Sequence, residues 1–322
     1  MSSIDRRDFL GTVAAAGVGL AALKGAVSVA QDQKSRVIRC RRKDAVDDSD
    51  TVNAAVVRQM VDQAVAKLAG VGSAQTAWKN LFGPQDVVTV KINCLFGIGA
   101  CTHREVTEAV VAGLLAAGVP ANNITVWDRD EGDLRKCGYE VNHGAGVKYT
   151  ATGWEPNPTV NGSFNGKLAT VLTRPENTAL VNVSMLKTHN TPGITSAMKN
   201  HYGSFHNPAA HHGNGCDPYL ADVNSVPAIR DRTRLIIVDA LRPVGDGGPA
   251  ASPDATWSYG AILAATDPVA VDYVGCKIID EWRATKGLPP VEPQAHFLKT
   301  AQQKGLGVCD PGRIEIIDLP SA

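Results

Sequence analysis

The chain is 322 residues long, 44% of them hydrophobic, and it carries 32 basic and 32 acidic residues. Because these charges balance, the chain has no basic field to hold nucleic acid or an anionic membrane surface. Its length and apolar content suffice for a substantial core, in one large domain or two smaller ones.

The first thirty residues are typical of an export signal. Arg6 and Arg7 precede an apolar, Gly- and Ala-rich run that extends to Leu23, and small residues follow it. Charged residues, an apolar stretch and a small-residue cleavage site define a secretory signal, and paired arginines indicate the twin-arginine route. A membrane anchor needs about 20 apolar residues, and this run is shorter. We expect a twin-arginine signal peptide over residues 1–30, no stable membrane span, the twin-arginine translocase as export partner, and a periplasmic or otherwise exported product.

Beyond the signal, short apolar runs alternate with amphipathic stretches. The predicted strands lie at residues 36–40, 86–92, 123–128, 179–186, 234–240, 260–266 and 313–318. The predicted helices lie at residues 50–70, 103–118, 267–287 and 293–304, with Ser49 or Asp50 capping the first and Thr102 the second. Strands without strict alternation, separated by helices, predict an α/β fold with a mostly parallel sheet and helices on both faces. We expect a Rossmann-like or doubly wound arrangement in one mature domain, residues 31–322.

Polar residues follow the predicted strands at their carboxyl ends, where open α/β sheets bind ligands. Each has a structural alternative; Asp267 is a good helix cap, for example, and Lys91 can extend its amine toward solvent. Because five strands share the pattern, we favour a common cleft. The strand ends predict that it is lined by Lys91, Asn93, Asp128, Lys187, Thr188, His189, Asp239, Asp246, Gly247 and Asp267.

The segment "LKTHNTPGITSAMKNHYGSFHNPAAHHGNGCDP" holds five of the eight histidines. Lys187 and His189 lie two apart, so in an extended chain they point to the same side. A short helix after them carries Lys199, either as a solvated lysine or as a functional one. Imidazole and thiolate are ligands of transition metals, so a zinc, iron or nickel site is one interpretation of the loop that follows. Its candidate ligands are His206, His211, His212 and Cys216.

That loop leaves two interpretations open. Its spacings match no compact metal motif, and hydrogen bonding or proton transfer by one or two histidines is the alternative. The seven cysteines form no C-x-x-C pair, so the chain has no ferredoxin-type iron–sulfur motif. A second loop, "GIGACTHR", places Cys101 and His103 before a helix N-terminus, a position that favours anions.

Taken in order, several stretches resemble the bacterial and archaeal family called domain of unknown function 362. They are "VVTVKIN", "CTHREVTEAVV", "VNVSMLKTH", "SAMKNHYG", "IIVDALRPVGDGGP", "ILAATDPVAVDYVG" and "GLGVCDPGRIEI", and the similarity runs from about Val37 to the C-terminus. The site that the resemblance implies is Lys91, Asn93, His103, Lys187, Thr188, His189, Lys199, Asn200, Asp239, Asp246, Gly247, Asp267 and Asp272.

The resemblance implies no specific reaction. Many family members carry an appended iron–sulfur module, and this chain departs from them because it lacks the cysteine pairs. The stretch "ACTHR" is also similar to a segment of the nickel-pincer lactate racemase group, over five residues only.

The sequence therefore predicts an exported enzyme, or a cofactor- or metal-dependent protein, that acts on a small anionic molecule at the carboxyl edge of the sheet. Oxidoreductase and isomerase chemistry are the reaction classes considered. Lys187, His189, Lys199, Asp239 and His103 are the catalytic candidates, with Lys91, Asn93, Thr188, Asn200, Asp246, Gly247 and Asp267 as binding residues. The alternative is a non-catalytic periplasmic protein that binds a metal or a ligand.

Overall fold

The computed structural model describes residues 34–320, so the predicted signal peptide lies outside the described residues. The strands in this part are β1 (Ser35–Arg41), β2 (Val88–Lys91), β3 (Ile124–Asp128), β4 (Lys148–Ala151), β5 (Thr159–Asn161), β6 (Phe164–Gly166), β7 (Ala179–His189), β8 (Gly193–Thr195), β9 (Thr233–Val244), β10 (Ala261–Ala265) and β11 (Ile314–Leu319). The helices are α1 (Ala54–Leu68), α2 (Ala74–Leu81), α3 (Arg104–Ala116), α4 (Glu131–Lys136), α5 (Thr170–Thr173), α6 (Ala197–Asn200), α7 (Tyr219–Asn224), α8 (Pro227–Arg230), α9 (Pro268–Thr285) and α10 (Phe297–Gln303).

One mixed sheet organises the described residues. Its strand order is β11-β1-β10-β9-β7-β2-β3-β4, and β8 pairs with β7. Five neighbouring strands of the sheet, β9, β7, β2, β3 and β4, run parallel. β10 is antiparallel to both of its neighbours, and β11 is parallel to β1. The predicted α/β class and mostly parallel sheet are therefore confirmed.

Helices cover both faces of the sheet, which explains why its central strands are apolar along their whole length. On one face, α1, α2 and α3 form a core around Met60 and Trp78. On the other, α6, α7, α9 and α10 form a second core that contains Met198 and Phe297. Because successive strand residues face opposite sides, each central strand contributes to both cores.

The winding of the sheet changes direction between β2 and β7. From β2 the chain moves outward to β3 and β4, then returns to place β7 on the other side of β2. At such a switch point the connections leave in opposite directions, so the carboxyl ends of the two strands border a crevice. Residues that follow β2 and β7 therefore border this crevice.

Several predicted boundaries shift. Asn53, and not Ser49 or Asp50, caps α1, because its side chain accepts a hydrogen bond from the Val56 N–H. The Thr102 hydroxyl does not cap α3; it accepts a hydrogen bond from the Asn93 N–H. The short elements α2 and β8 were not predicted. Across the described residues, every helix is too short or too polar to cross a membrane.

Candidate functional site

Lys91, at the end of β2, is neutralised by a carboxylate. Its Nζ lies 2.8 Å from Asp128 Oδ1 at the end of β3, and the Lys91 side chain is 1% exposed. Asp128 also accepts hydrogen bonds from the Cys94 and Arg129 N–H groups, at 2.6 Å and 2.8 Å. This pair fixes the loop that leaves β2, and its charges cancel inside the protein.

Lys187 is buried near the end of β7 without a carboxylate partner among the described residues. Its Nζ donates to Asn93 Oδ1 at 2.9 Å and to the carbonyls of Ala100 at 2.6 Å and Leu95 at 3.4 Å. These three oxygens are neutral, so the ammonium group is solvated by the protein but not neutralised. Burial lowers the pKa of Lys187 to about 8.

Lys199, on α6, has a different partner. Its Nζ lies 3.1 Å from His212 Nε2 and 3.6 Å from the centre of the Tyr202 ring. The residue is 6% exposed and forms no ion pair with a described carboxylate. Burial, together with the nearby charge of Lys187, lowers the pKa of Lys199 to about 7.

Two imidazoles lie beside Lys187 and Lys199. The rings of His189 and His212 stack with their centres 5.5 Å apart. Burial and the charges of Lys199, His212 and Lys187 lower the pKa of His189 to about 3, and burial and Lys199 also lower that of His212. Both rings are therefore neutral near pH 7. We call Lys187, His189, Lys199 and His212 the basic cluster.

His103 and Asp239 form a separate couple at the start of α3. Asp239 Oδ2 lies 2.7 Å from both the backbone N and Nδ1 of His103, and its Oδ1 accepts from the Leu241 N–H. Burial disfavours the charged ring, but the attraction and hydrogen bond of Asp239 outweigh it and raise the pKa of His103 to about 9. His103 thus holds its proton near pH 7, with Asp239 as counter-ion.

The loop after β9 approaches β7 through Thr188. The Thr188 hydroxyl accepts a hydrogen bond from the Gly248 N–H at 3.0 Å, and a Cβ on Gly248 would lie 2.1 Å from the Thr188 carbonyl oxygen. The same loop contains Gly247, with a φ of +66°, and Asp246, whose half-exposed carboxylate accepts from Arg283 at 2.6 Å. This loop therefore borders the carboxyl ends of β7 and β9, although Asp246 is already paired.

Asn200 and Asp272 position α6. Asn200 donates to Asn182 Oδ1 at 2.8 Å and accepts from Lys91 at 3.3 Å, so it joins β7 to β2. The buried Asp272 carboxyl accepts from the Ala197 and Met198 N–H groups at 2.7 Å and 3.0 Å. Asn200 and Asp272 therefore fix the position of α6 and, with it, of Lys199. Neither side chain belongs to the basic cluster itself.

Asp267 does not lie at the predicted cleft. It follows β10, and because β10 runs antiparallel to its neighbours, this strand end lies at the opposite edge of the sheet. There its carboxylate caps α9 through the Val269 and Ala270 N–H groups and accepts from the Ser35 hydroxyl and the Val308 N–H. Asp267 therefore caps a helix, which was the structural alternative to its predicted binding role.

The predicted metal site is not assembled either. Among residues 34–320, no three His, Cys, Asp or Glu side chains are placed to hold a metal ion. His206 Nδ1 accepts from the Lys167 N–H, and His211 Nε2 accepts from the Asn165 N–H, so each has a nitrogen engaged by backbone. His212 contacts Lys199, and Cys216 is buried in the apolar core. These four residues do not fit a common metal.

Two parts of the site were missed in the sequence. Tyr202 covers the Lys199 amine, and its family-like context "KNHYG" was the only available signal. Cysteines from two loops also meet: the Cys137 thiol donates a hydrogen bond to the Cys94 carbonyl oxygen at 3.2 Å, and the nearby Cys101 affects the pKa values of Cys137 and Lys187. Because the loops after β2 and β3 create this contact, no spacing rule reveals it.

Comparisons with known proteins leave the chemistry of this site open. The family model described as "Domain of unknown function (DUF362)" matches residues 88–277, more than half of the chain. No curated protein matches the chain. A crystal structure of a Thermotoga maritima protein, a structural genomics target, is similar with a TM-score of 0.40 and 10% identity. The match covers 71% of this chain and 59% of that chain, so less than two thirds of the other protein is spanned.

Proposed function

Since the chain belongs to the DUF362 family, whose description assigns no activity, we propose that it is an enzyme that binds a small anionic molecule beside β2 and β7, at the basic cluster. The observation that supports this proposal most directly is buried positive charge without a counter-ion. The charge of Lys187 lowers the pKa of Lys199, and neither lysine is ion-paired with a described carboxylate. A buried cation without a counter-ion is costly, so an anion that supplies the missing charge binds favourably.

Hydrogen bonding also favours an anion at Lys199. An ammonium group has three N–H donors, and the His212 ring nitrogen is the one described acceptor of Lys199. A carboxylate or phosphate oxygen would take a further donor in a charge-assisted hydrogen bond. Lys187 contributes its charge, because its own donors are engaged by Asn93 and by two carbonyl groups. The approach from solvent passes the partly exposed His212 ring.

Catalysis is favoured over simple binding by the protonation states in the cluster. Lys199 has a pKa of about 7 and Lys187 one of about 8, and His189 and His212 are neutral beside them. Groups that exchange protons near neutral pH are typical of acid–base sites. A carrier protein would need only the positive charge, which an exposed lysine or arginine provides more cheaply.

Calorimetric titration of the purified protein with oxalate and with inorganic phosphate tests this proposal. We expect saturable binding of at least one of them, weaker as pH rises through 7 to 8, because the lysines lose the protons that attract the anion. Lys199→Met should weaken binding at least about tenfold, the effect of losing one charge-assisted hydrogen bond. The exposed Lys67 on α1 supplies the control, and Lys67→Met should bind as the wild type does. Equal affinity in both variants, or no binding of either anion, would contradict the proposal.

The cellular location is part of the same proposal. The arginine pair and apolar run in residues 1–30 support export by the twin-arginine route, which would place the basic cluster outside the cytoplasm. A ligand of an exported enzyme must reach it from the periplasm or the surroundings, and small anions do so readily.

A further inference from the structure

Burial disfavours a charge on the Lys199 amine and lowers its pKa to about 7. The residue is 6% exposed and its one described hydrogen-bond partner is an imidazole; the Tyr202 ring at 3.6 Å favours the charged form but does not offset the burial. An unprotonated amine is a nucleophile, and buried lysines without counter-ions are the ones that form covalent bonds to carbonyl carbons. A lysine that only binds an anion does not need to be buried as deeply as Lys199.

The tautomer of His212 is fixed by its other nitrogen. His212 Nδ1 lies 2.8 Å from the Pro208 carbonyl oxygen, which can only accept, so Nδ1 carries the proton. The Nε2 lone pair therefore faces the Lys199 amine at 3.1 Å. An imidazole in this position can take a proton from the nitrogen and return it to an oxygen bound nearby.

We infer that Lys199 forms a Schiff base with a small 2-oxo acid whose carboxylate is held by the positive charge of Lys187. This inference rests on the proposed anion site. The Lys199 nitrogen bonds to the carbonyl carbon, and His212 takes the proton released from the nitrogen. His212 delivers that proton to the alkoxide oxygen, which completes the carbinolamine, and then passes the second nitrogen proton to its hydroxyl; the C–O bond breaks, and water leaves. The C=N bond replaces the C=O bond, so no oxidant or reductant is consumed.

Two different lysines suit this substrate class. The carboxylate needs a protonated amine, and the carbonyl carbon needs an unprotonated one. Lys187, with the higher pKa of about 8, keeps its proton to a higher pH than Lys199, with a pKa of about 7. Between these values the charged Lys187 and the neutral Lys199 coexist, which predicts a bell-shaped pH dependence with its maximum between about 7 and 8.

Borohydride trapping with pyruvate tests the inference. Pyruvate is incubated with the full-length protein, the C=N bond is reduced, and the modified lysine is located by peptide mass spectrometry. At pH 7 an ordinary lysine is unprotonated roughly a thousandfold less often than Lys199, so modification should concentrate on Lys199. Lys199→Met should abolish that modification, and His212→Gln should slow it while leaving the modified position unchanged. The exposed Lys67 serves as the internal control.

The outcomes separate this inference from the anion site. Oxalate carries two carboxylates but no ketone carbon, so it occupies the site without forming a C=N bond. If oxalate binds and pyruvate leaves no reduced adduct on Lys199, the Schiff base is wrong and the anion site stands. If neither binds, both are wrong. Labelling of Lys67 as fast as Lys199, or a trapping rate that keeps rising above pH 9, also overturns the inference.

Discussion

The three buried lysines among residues 34–320 differ by what each amine contacts. Lys91 has a carboxylate at 2.8 Å, Lys187 has three neutral oxygens, and Lys199 has an imidazole. The sequence predicted Lys187 and Lys199 as catalytic candidates and Lys91 as a binding residue of the same cleft. Only the partners distinguish them: the pair of Lys91 and Asp128 is structural, whereas the other two lysines leave positive charge unbalanced.

This difference predicts opposite stability effects. Replacing Lys199 with Met removes a buried charge without leaving a carboxylate unpaired, and should stabilise the protein by about 1–4 kcal/mol near pH 7. Its pKa is lower in the folded protein, about 7, than in the unfolded chain, about 10.4, so the folded state binds fewer protons between these values. The gain from Met should thus be full below pH 7 and shrink as pH rises toward 10. Denaturant unfolding across this range measures it.

Lys91→Met is the matched comparison. It leaves the Asp128 carboxylate buried without its cation, which costs about 3–5 kcal/mol. A destabilised Lys199→Met protein, or one as stable as Lys91→Met, would show that Lys199 holds the fold together and would remove the charge-imbalance basis of the anion site.

The parallel pairing of β2 and β7, which the apolar runs indicated, puts Lys187 and His189 at the end of β7 beside the switch point. Lys199 lies on α6 near them, and the role of all three stays a prediction. Asp267 was misplaced because strand direction depends on pairing with distant residues, which no local pattern records. The histidine loop misled for a related reason: its chemistry is that of metal ligands, but backbone N–H groups engage His206 and His211.

At the level of elements, the short segments around α6 determine the site and were hardest to predict. β8 has three residues and α6 has four, so neither offers a full period of either pattern. Their positions depend on contacts instead. β8 pairs with the end of β7, and Asp272 on α9 fixes the start of α6. The turn after α6 then passes directly over the ion pair of Lys91 and Asp128, where Gly203 provides the clearance.

Gly203 is therefore expected to tolerate no side chain. A Cβ there would lie 2.7 Å from Lys91 Nζ and 3.0 Å from Asp128 Oδ1, and both groups are buried and cannot move aside. Gly203→Ala should cost about 1–3 kcal/mol, the usual penalty for overpacking. It should also weaken anion binding, because α6 carries Lys199. Thermal unfolding and calorimetry measure the two effects.

Gly72 provides the control for this substitution. Nothing lies within 4 Å of a Cβ at Gly72, and its φ lies outside the left-handed region, so Gly72→Ala should leave stability and binding unchanged. If Gly203→Ala behaves like Gly72→Ala, the turn is not held against the ion pair, and the packing around Lys91 is looser than the contacts indicate.

For the whole molecule, the alternation of apolar runs and helices predicted the α/β class and the helices on both faces of the sheet. It did not predict the strand order. The order depends on which distant segments pair, and the contact of Cys137 with the Cys94 carbonyl oxygen arises only from that pairing. All seven cysteines are unpaired, and all but Cys309 are buried.

Export of an already folded protein is the prediction at this scale. Conservative replacement of Arg6 and Arg7 by Lys should keep the folded protein in the cytoplasm, because a twin-arginine signal requires the pair. The chain offers a matched control in a second pair, Arg41 and Arg42, which lie at the end of β1 and contact Tyr259 and Asp44. Lysines at that pair should leave export unchanged.

Cell fractionation measures export, and thiol counting before and after denaturation measures folding. Export of the first variant at the wild-type level would contradict the twin-arginine route, and a cytoplasmic protein with all its thiols reactive before denaturation would show that folding does not precede export.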